Sequence, residues 1–426
     1  MNSVTVINSR IAPGSTVKPR ILDSLARKAV LRRLADLRHG ELTLLDGPQE
    51  YRFGQPTERC NLSVRVTVRD QRFYSDIAFA GTIGAGEAYM CNYWETNDLT
   101  ALIRIFAVNR RLQDDMEGGL ALITIPIQKI LHWFNRNTRS GSRKNIAAHY
   151  DLGNELFRIM LDETMMYSSA IFTHGEMPLH EAQINRMDII CKKLDLKPSD
   201  HLLEIGTGWG GFSMHAARNY GCRVVTTTIS REQYELACKR VRKEGLSDRI
   251  TVLLKDYREL SGQYDKLVSI EMIEAVGADN LETYFKQCGR LLKPDGAMLL
   301  QAITIADQRY NQALREVDFI QQYIFPGGFL PSIQAMSTTM TRSSDLRIVQ
   351  LDDIGPHYVT TLAAWRERFL ERLDDVRALG FDERFIRMWL FYLCYSEGGF
   401  RERALGTVQM LLTRPEWRGD VQAGTP

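Results

Sequence analysis

The sequence is short of the features that would place it in a simple class. Its longest uncharged stretch, Phe319–Thr341, is 23 residues long but contains Pro326, Gly327, Gly328 and Pro331. A spanning helix needs about 20 predominantly apolar residues, so no transmembrane segment is expected. No apolar core of a secretory leader follows Met1. Cysteine is sparse: Cys60, Cys91, Cys191, Cys222, Cys238, Cys288 and Cys394 are widely spaced, with no C-x-x-C pair. That argues against a disulfide framework or a zinc cluster and fits free thiols in a reducing cytoplasm. Charge of one sign is also lacking. Lys and Arg number 54 and Asp and Glu 52, a net of +2, without the basic surplus that binding to duplex nucleic acid calls for. With 44% hydrophobic and 25% charged residues over 426 positions, the chain is globular and long enough for two or three domains.

The charge that is present lies unevenly. Lys18, Arg20, Arg27, Lys28, Arg32, Arg33 and Arg38 face only Asp23 and Asp36, and Ile21, Leu25, Ala29, Leu31 and Leu34 recur near helical spacing. This segment reads as an amphipathic basic helix. Between Glu117 and Asp151 there is no acid, while Lys129, Arg136, Arg139, Arg143 and Lys144 lie in and after an apolar run that includes Trp133 and Phe134. Cations beside Trp and Phe suit an anionic membrane surface, and a solvated helix face with a linker has the same composition. The β-like runs Glu41–Leu45 and Asn61–Val68, then the glycine-rich Gly81–Glu87, suggest a small α+β unit. The polar stretch Asn135–Arg143 reads as a linker.

Beyond residue 200 the pattern changes. His201–Ile205, Cys222–Thr228, Ile250–Leu254, Lys266–Ile270 and Ala297–Ile303 read as strands, and Arg231–Glu244 and Asn280–Leu292 as helices. Such alternation implies a parallel sheet covered on both faces. After the first strand, Gly206, Gly208 and Gly211 form G-x-G-x-x-G, which permits a tight turn and close approach of a ligand to the backbone. A nicotinamide dinucleotide is one reading, but it expects an acid about 20 residues further on. The second strand instead ends Thr226-Thr-Thr-Ile-Ser230. Glu204, two residues before Gly206, gives acid-x-Gly-x-Gly, the pattern of S-adenosylmethionine sites.

Several further segments come in a recognisable order: Asn145–Asn154, Tyr167-Ser-Ser-Ala170, Asp256-Tyr-Arg258, Glu274-Ala-Val-Gly277 and Tyr323-Ile-Phe-Pro-Gly327. From about Gly84 to Phe400 the chain resembles the cyclopropane-fatty-acyl-phospholipid synthase family of S-adenosylmethionine-dependent methyltransferases. The resemblance implies an α/β fold, a Rossmann-like class I methyltransferase sheet with helical insertions, preceded by a small N-terminal α+β lipid-binding domain. Residues 1–135 are then expected to dock lipid, 136–144 to link, and 145–426 to form the methyltransferase domain with an acyl-chain tunnel. It implies Glu204, Gly206 and Gly208 at the methionine part of S-adenosylmethionine, and Thr228, Ser230 and Gln233 at the ribose. Asp256 and Tyr257 fall at the adenine end, with Tyr150, Tyr167 and Ser168 covering the cofactor. The implied partners are unsaturated phospholipid acyl chains and, peripherally, an anionic membrane at the cytoplasmic face; a homodimer is a family expectation.

The implied chemistry sets its own demands. Attack of a cis alkene on the sulfonium methyl leaves a carbocation, which needs shelter from water and a base to remove one proton. Aromatic faces and water exclusion give the shelter. Tyr323, Phe325, Phe329, Trp389, Phe391 and Tyr392 are candidates, and Phe319–Thr341 suits a tunnel wall. By the resemblance, the base is a bicarbonate ion held by a cysteine, a glutamate, a histidine, an isoleucine amide and a tyrosine. Glu274, Ile303 and Tyr358 match; Ser169 replaces the cysteine and Gln301 the histidine. Ala275 follows Glu274 where histidine is frequent, Glu271 stands where glycine is common, and Ser396 aligns with a further cysteine. Serine and glutamine still donate to an anion, and Glu274 beside one is expected to titrate high. Proton loss from the new methyl closes a cyclopropane, the expected product; loss from a neighbouring carbon leaves a methyl- or methylene-branched chain. An NAD(P)-dependent oxidoreductase and a non-catalytic lipid-binding protein that has lost the base site are the competing classes.

Overall fold

The computed structural model describes residues 21–110 and 152–421. Tyr150, the basic aromatic stretch before Asp151, the 136–144 linker, Lys18 and Arg20 lie outside the described residues.

Residues 21–110 build a four-stranded sheet in the order β2-β1-β3-β4 from β1 (Gly40–Asp46), β2 (Gln49–Gln55), β3 (Ser63–Val68) and β4 (Trp94–Thr96). β1 pairs antiparallel with β2 and parallel with β3. Gly40, Leu42, Leu44 and Asp46 alternate inward along β1, the two-residue period of a half-buried strand. The basic helix is present as Ile21–Leu34; of its expected face Leu31 and Leu34 meet the core, but Leu25 and Ala29 turn outward. Ala26, Val30 and Leu34 are buried, whereas Leu25 is 59% exposed. Positions 26, 30 and 34 stand above one another on a helix and meet the core; Leu25, Lys28, Ala29 and Arg32 form the outward row. The glycine-rich Gly81–Glu87 lies inside the Arg72–Met90 helix, which kinks at Gly81, with φ 53° and ψ −130°. A Cβ at Gly86 would stand 2.5 Å from the Phe319 ring, so glycine lets this helix lie directly on the later part of the chain.

The second sheet runs β10-β11-β9-β8-β5-β6-β7. Its strands are β5 (His201–Ile205), β6 (Arg223–Thr228), β7 (Ile250–Leu254), β8 (Tyr264–Ile270), β9 (Leu292–Ile305), β10 (Arg347–Asp353) and β11 (Leu405–Thr413). β5 to β9 pair in parallel, and β11 enters antiparallel to β9. All five expected strands are found, and two more join them. β10 is an exposed edge with little apolar periodicity, and β11 is a buried apolar run that periodicity alone does not separate from a helix segment. β5 has β6 on one side and β8 on the other. The crevice beyond its carboxyl end is therefore the switch point where ligands bind in such sheets.

The two parts share a core. The apolar cluster that contains Leu42, Leu44 and Trp94 continues through Trp365, Trp389 and Phe400, on the helices Gly355–Glu371 and Glu383–Arg401. A Cβ at Gly398 would meet Ile103 at 2.7 Å, so the last helix touches the Leu99–Val108 helix closely. Buried Glu397 accepts from Arg366 and Arg401 and from Thr100 across this contact, and Arg104 pairs with Glu402 at 2.7 Å. Among the described residues no helix is long and apolar enough to cross a membrane.

Candidate active site

One cavity of about 570 Å³ spans both parts. At one end it reaches Gly206, Gly208, Thr228, Gln233, Asp256 and Tyr257; at the other, Leu34, Leu42, Leu44, Val66, Phe73 and Ile77. Glu271, Glu274, Ile303, Tyr167, Ser168 and Tyr358 line its middle. Of the expected aromatic wall, Phe325, Phe329, Phe391 and Tyr392 face the cavity, while Tyr323 and Trp389 do not line it. Trp389 packs on Phe157 and Tyr392, and Tyr323 donates to Glu87.

At the glycine end the backbone does what side chains would obstruct. Gly206 and Gly208 adopt φ of 103° and 50°, conformations that β-carbons disfavour. A Cβ on Gly208 would find no protein atom within 4 Å. Buried Glu204 accepts from Thr226 at 2.7 Å and from Ser213, and burial pushes its carboxyl up to about 7. Thr228 donates to Gln233 at 2.8 Å, and Ser230 caps the Arg231–Lys243 helix by accepting from the Gln233 amide, behind the cavity wall. Asp256 takes both ends of the Arg258 guanidinium, at 2.8 and 2.6 Å. Tyr257 packs edge-on against Tyr284, and its hydroxyl is buried without a partner. Tyr167 and Tyr392 share a hydroxyl–hydroxyl bond of 2.7 Å. A pocket rimmed by acids and hydroxyls with an open glycine turn fits a cationic sulfonium ligand with a ribose and an adenine.

The middle of the cavity holds two carboxyl groups. Glu271 sits just past β8 with φ of 48°, a left-handed conformation that costs a non-glycine residue about 1–2 kcal/mol. Its Oε1 accepts from the Ser169 amide at 3.0 Å and from the Gln301 side chain at 2.7 Å, and its Oε2 from the Tyr358 hydroxyl at 2.7 Å. Glu274 Oε1 accepts from the Ile303 amide at 2.5 Å, and its Oε2 is buried without a partner. Burial, then the neighbouring Glu271 charge, push Glu274 up to about 8. Burial raises Glu271 as well, opposed by its three donors and by Arg186. The structure thus brings together the five residues expected around an anion. Ser169 and Gln301, however, stand behind Glu271 rather than on the cavity wall, and the Ser169 hydroxyl gives to the Ala170 carbonyl. The Gln301 amide, the Tyr358 hydroxyl and the Ile303 amide are committed to Glu271 and Glu274, and the Ser169 hydroxyl to a backbone carbonyl, so this donor set does not fit a further anion.

Three residues of this network had no signal in the sequence. Gln301 accepts from Gln409 at 3.0 Å, its direct partner across β9 and β11, and Gln409 accepts from Lys193 at 2.7 Å. Arg186 is fully buried, bonds Ser168 and Gln183, and leaves Nε and Nη1 without partners. Burial lowers it to about 10, and Glu271, Asp162 and Glu204 are the charges that oppose the fall. Each is an ordinary strand or helix residue until the fold brings them together.

Comparison with known proteins agrees with this geometry. Residues 137–410 match the family model described as mycolic acid cyclopropane synthetase. The chain is 40% identical over 352 residues to the tuberculostearic acid methyltransferase UfaA1 of Mycobacterium tuberculosis, covering 78% of this chain and 79% of that one. It is 38% identical over 353 residues to the cyclopropane-fatty-acyl-phospholipid synthase of Escherichia coli, covering 82% and 87%. The solved structure of the mycolic acid cyclopropane synthase CmaA1 complexed with SAH and CTAB superposes with a TM-score of 0.60 at 30% identity, over 64% of this chain and 98% of that one. The chain belongs to the cyclopropane synthase family of S-adenosylmethionine-dependent methyltransferases.

Proposed function

We propose that the protein transfers the methyl group of S-adenosylmethionine to a double bond in an unsaturated phospholipid acyl chain, and that loss of one proton then closes a cyclopropane ring. The observation that carries this reading is the single cavity joining the glycine loop, the two carboxyls and an apolar pocket between the sheet and helices of residues 21–110. Its volume lies in the range of about 300–1,000 Å³ usual for ligand sites. Gly206 and Gly208 would hold the methionine part, with Glu204 behind them. Thr228, with Gln233 and Ser230, would hold the ribose, Asp256 and Tyr257 the adenine, and Tyr167 and Ser168 would close over the sulfonium. Phe325, Tyr358 and Tyr392 present aromatic faces to the developing cation.

A second reading is a methyl- or methylene-branched product. The 40% identity to a tuberculostearic acid methyltransferase favours it, as does Glu271 at a position where the family pattern has glycine. The lipid is reached from a bilayer surface: the outward row Leu25, Lys28, Ala29 and Arg32 presents two cations and an exposed leucine on one helix face, the composition of peripheral contact with anionic lipid.

Incubation with S-adenosylmethionine and unsaturated phospholipid should add the mass of one CH₂ to an acyl chain. Proton NMR of the product then separates upfield ring protons from vinylic ones. No mass gain on any unsaturated phospholipid tested removes the reading.

A further inference from the structure

We infer that Glu271 is the general base of this enzyme, a carboxylate built into the chain at the place where an external anion would otherwise be held. The inference rests on the methyl-transfer reading above and names the group that completes it.

The hydrogen-bond directions fix which oxygen of Glu271 can take a proton. Lys193 can only donate, and it donates to Gln409 Oε1. Gln409 must therefore turn its amide nitrogen to Gln301 Oε1, and Gln301 must turn its own to Glu271 Oε1. The Ser169 backbone N–H reaches the same oxygen and can only donate too. Oε1 is thus an acceptor by construction. The proton has one place to go, Oε2, where the Tyr358 hydroxyl at 2.7 Å turns from donor to acceptor. Lys193, Gln409 and Gln301 are positioning residues. Fully buried Arg186 supplies a positive charge that favours the carboxylate form. Glu274, held by the Ile303 amide beside it, keeps its proton at neutral pH, so the pair carries one negative charge rather than two. The backbone points the same way. A glutamate in a left-handed conformation, where glycine is at ease, marks a position whose side chain is kept for its chemistry.

The step balances without any further reactant. The alkene π pair forms the bond to the sulfonium methyl, the carbon–sulfur pair stays on sulfur, and the adjacent chain carbon becomes positive. Glu271 Oε2 takes one proton. The released C–H pair closes the ring if the proton leaves the new methyl, or forms a new alkene if it leaves a chain carbon.

The test compares the wild type with Glu271→Gln and Glu271→Gly in buffer stripped of carbon dioxide and in the same buffer with added bicarbonate. The wild-type rate should be the same in both. Glu271→Gln should lose about 100-fold or more in turnover while its affinity for S-adenosylmethionine stays within about two-fold. Glu271→Gly, unstrained at this φ, should be inactive in stripped buffer and regain about ten-fold or more with bicarbonate. A wild type that slows when bicarbonate is removed overturns the inference, and so does a Glu271→Gln protein with unchanged turnover. Calorimetric titration with bicarbonate needs no turnover and therefore separates this failure from that of the methyl-transfer reading. The wild type should bind none and Glu271→Gly should bind it; binding to the wild type overturns the built-in base even if no lipid product is ever found.

Discussion

The two ends of the cavity are built on opposite terms. At the donor end, position is set by conformation and by polar pairs: glycines at positive φ, Glu204 between Ser213 and Thr226, Asp256 gripped by Arg258. At the other end, the acyl end on the proposed reading, Leu42, Leu44, Val66, Phe73 and Ile77 offer only shape. On the proposed reading a charged, polar donor has to be held at one angle, whereas an acyl chain has to be admitted and kept dry. The donor end should therefore be intolerant of single atoms and the acyl end tolerant of everything except lost volume.

The largest effect that follows is at Gly206. Gly206→Val places a β-branched residue at a φ of 103° with its Cβ about 3.2 Å from Met272. S-adenosylmethionine affinity, read by calorimetry, should fall by about 100-fold, while circular dichroism stays that of a folded chain. Unchanged affinity would detach the loop from the cofactor. The counterpart at the other end is Ile77→Trp, on the kinked helix. It fills part of the acyl pocket, leaves cofactor affinity alone, and should cut turnover on long acyl chains by about ten-fold while sparing short ones. Equal loss on long and short chains would mean that the pocket does not hold the chain.

The same contrast decides what the sequence disclosed. The glycine turn was legible because conformation forces residue type: Gly206 and Gly208 stand out against any background, whereas Thr228 and Ser230 came only with the resemblance. β5 to β9 were legible for a related reason, since buried parallel strands read as short apolar runs between helices. The acyl end was not, because Leu42 or Val66 facing a cavity looks the same as Leu42 or Val66 facing a core. The face of the basic helix was read rightly at Leu34 and Leu31 but wrongly at Leu25 and Ala29, since Leu25 is more apolar than the buried Ala26 and only packing decides which turns inward. Ser169, Gln301 and Glu271 were singled out one by one as departures, yet that the first two donate to the third is visible only in the hydrogen bonds. Arg186, Lys193 and Gln409 carried no local mark at all.

A smaller effect lies in the buried carboxyls themselves. An unfolded glutamate titrates near 4.5 and folded Glu274 near about 8. Between those values the folded state binds more protons, so this contribution to stability is complete below the unfolded value and is lost as pH rises through 8. Glu204, raised to about 7, acts with the same sign. Glu274→Gln removes one of these contributions. Its melting temperature should fall less than that of the wild type between pH 5 and pH 9, by a margin of about 3 °C or more. Parallel melting curves would show Glu274 to be an ordinary carboxylate and would leave the middle of the cavity with two negative charges.

The smallest effect tests where the acyl end meets its source. Leu25, Lys28 and Arg32 lie on the outward row of the first helix, whose inward residues Val30 and Leu34 line the cavity. A cation near an anionic bilayer contributes about 1 kcal/mol, so Lys28→Gln and Arg32→Gln should each weaken partitioning to anionic vesicles by about five-fold. Binding to uncharged vesicles should not change, and added salt should shrink the difference. Because neither side chain enters the cavity, turnover on lipid dispersed in neutral detergent should stay at the wild-type level. If both variants partition as the wild type does, the helix is only a lid on the core, and lipid must reach Leu34 and Phe73 by another face. If partitioning falls and detergent turnover holds, the same helix meets the bilayer with one row and walls the acyl pocket with the other.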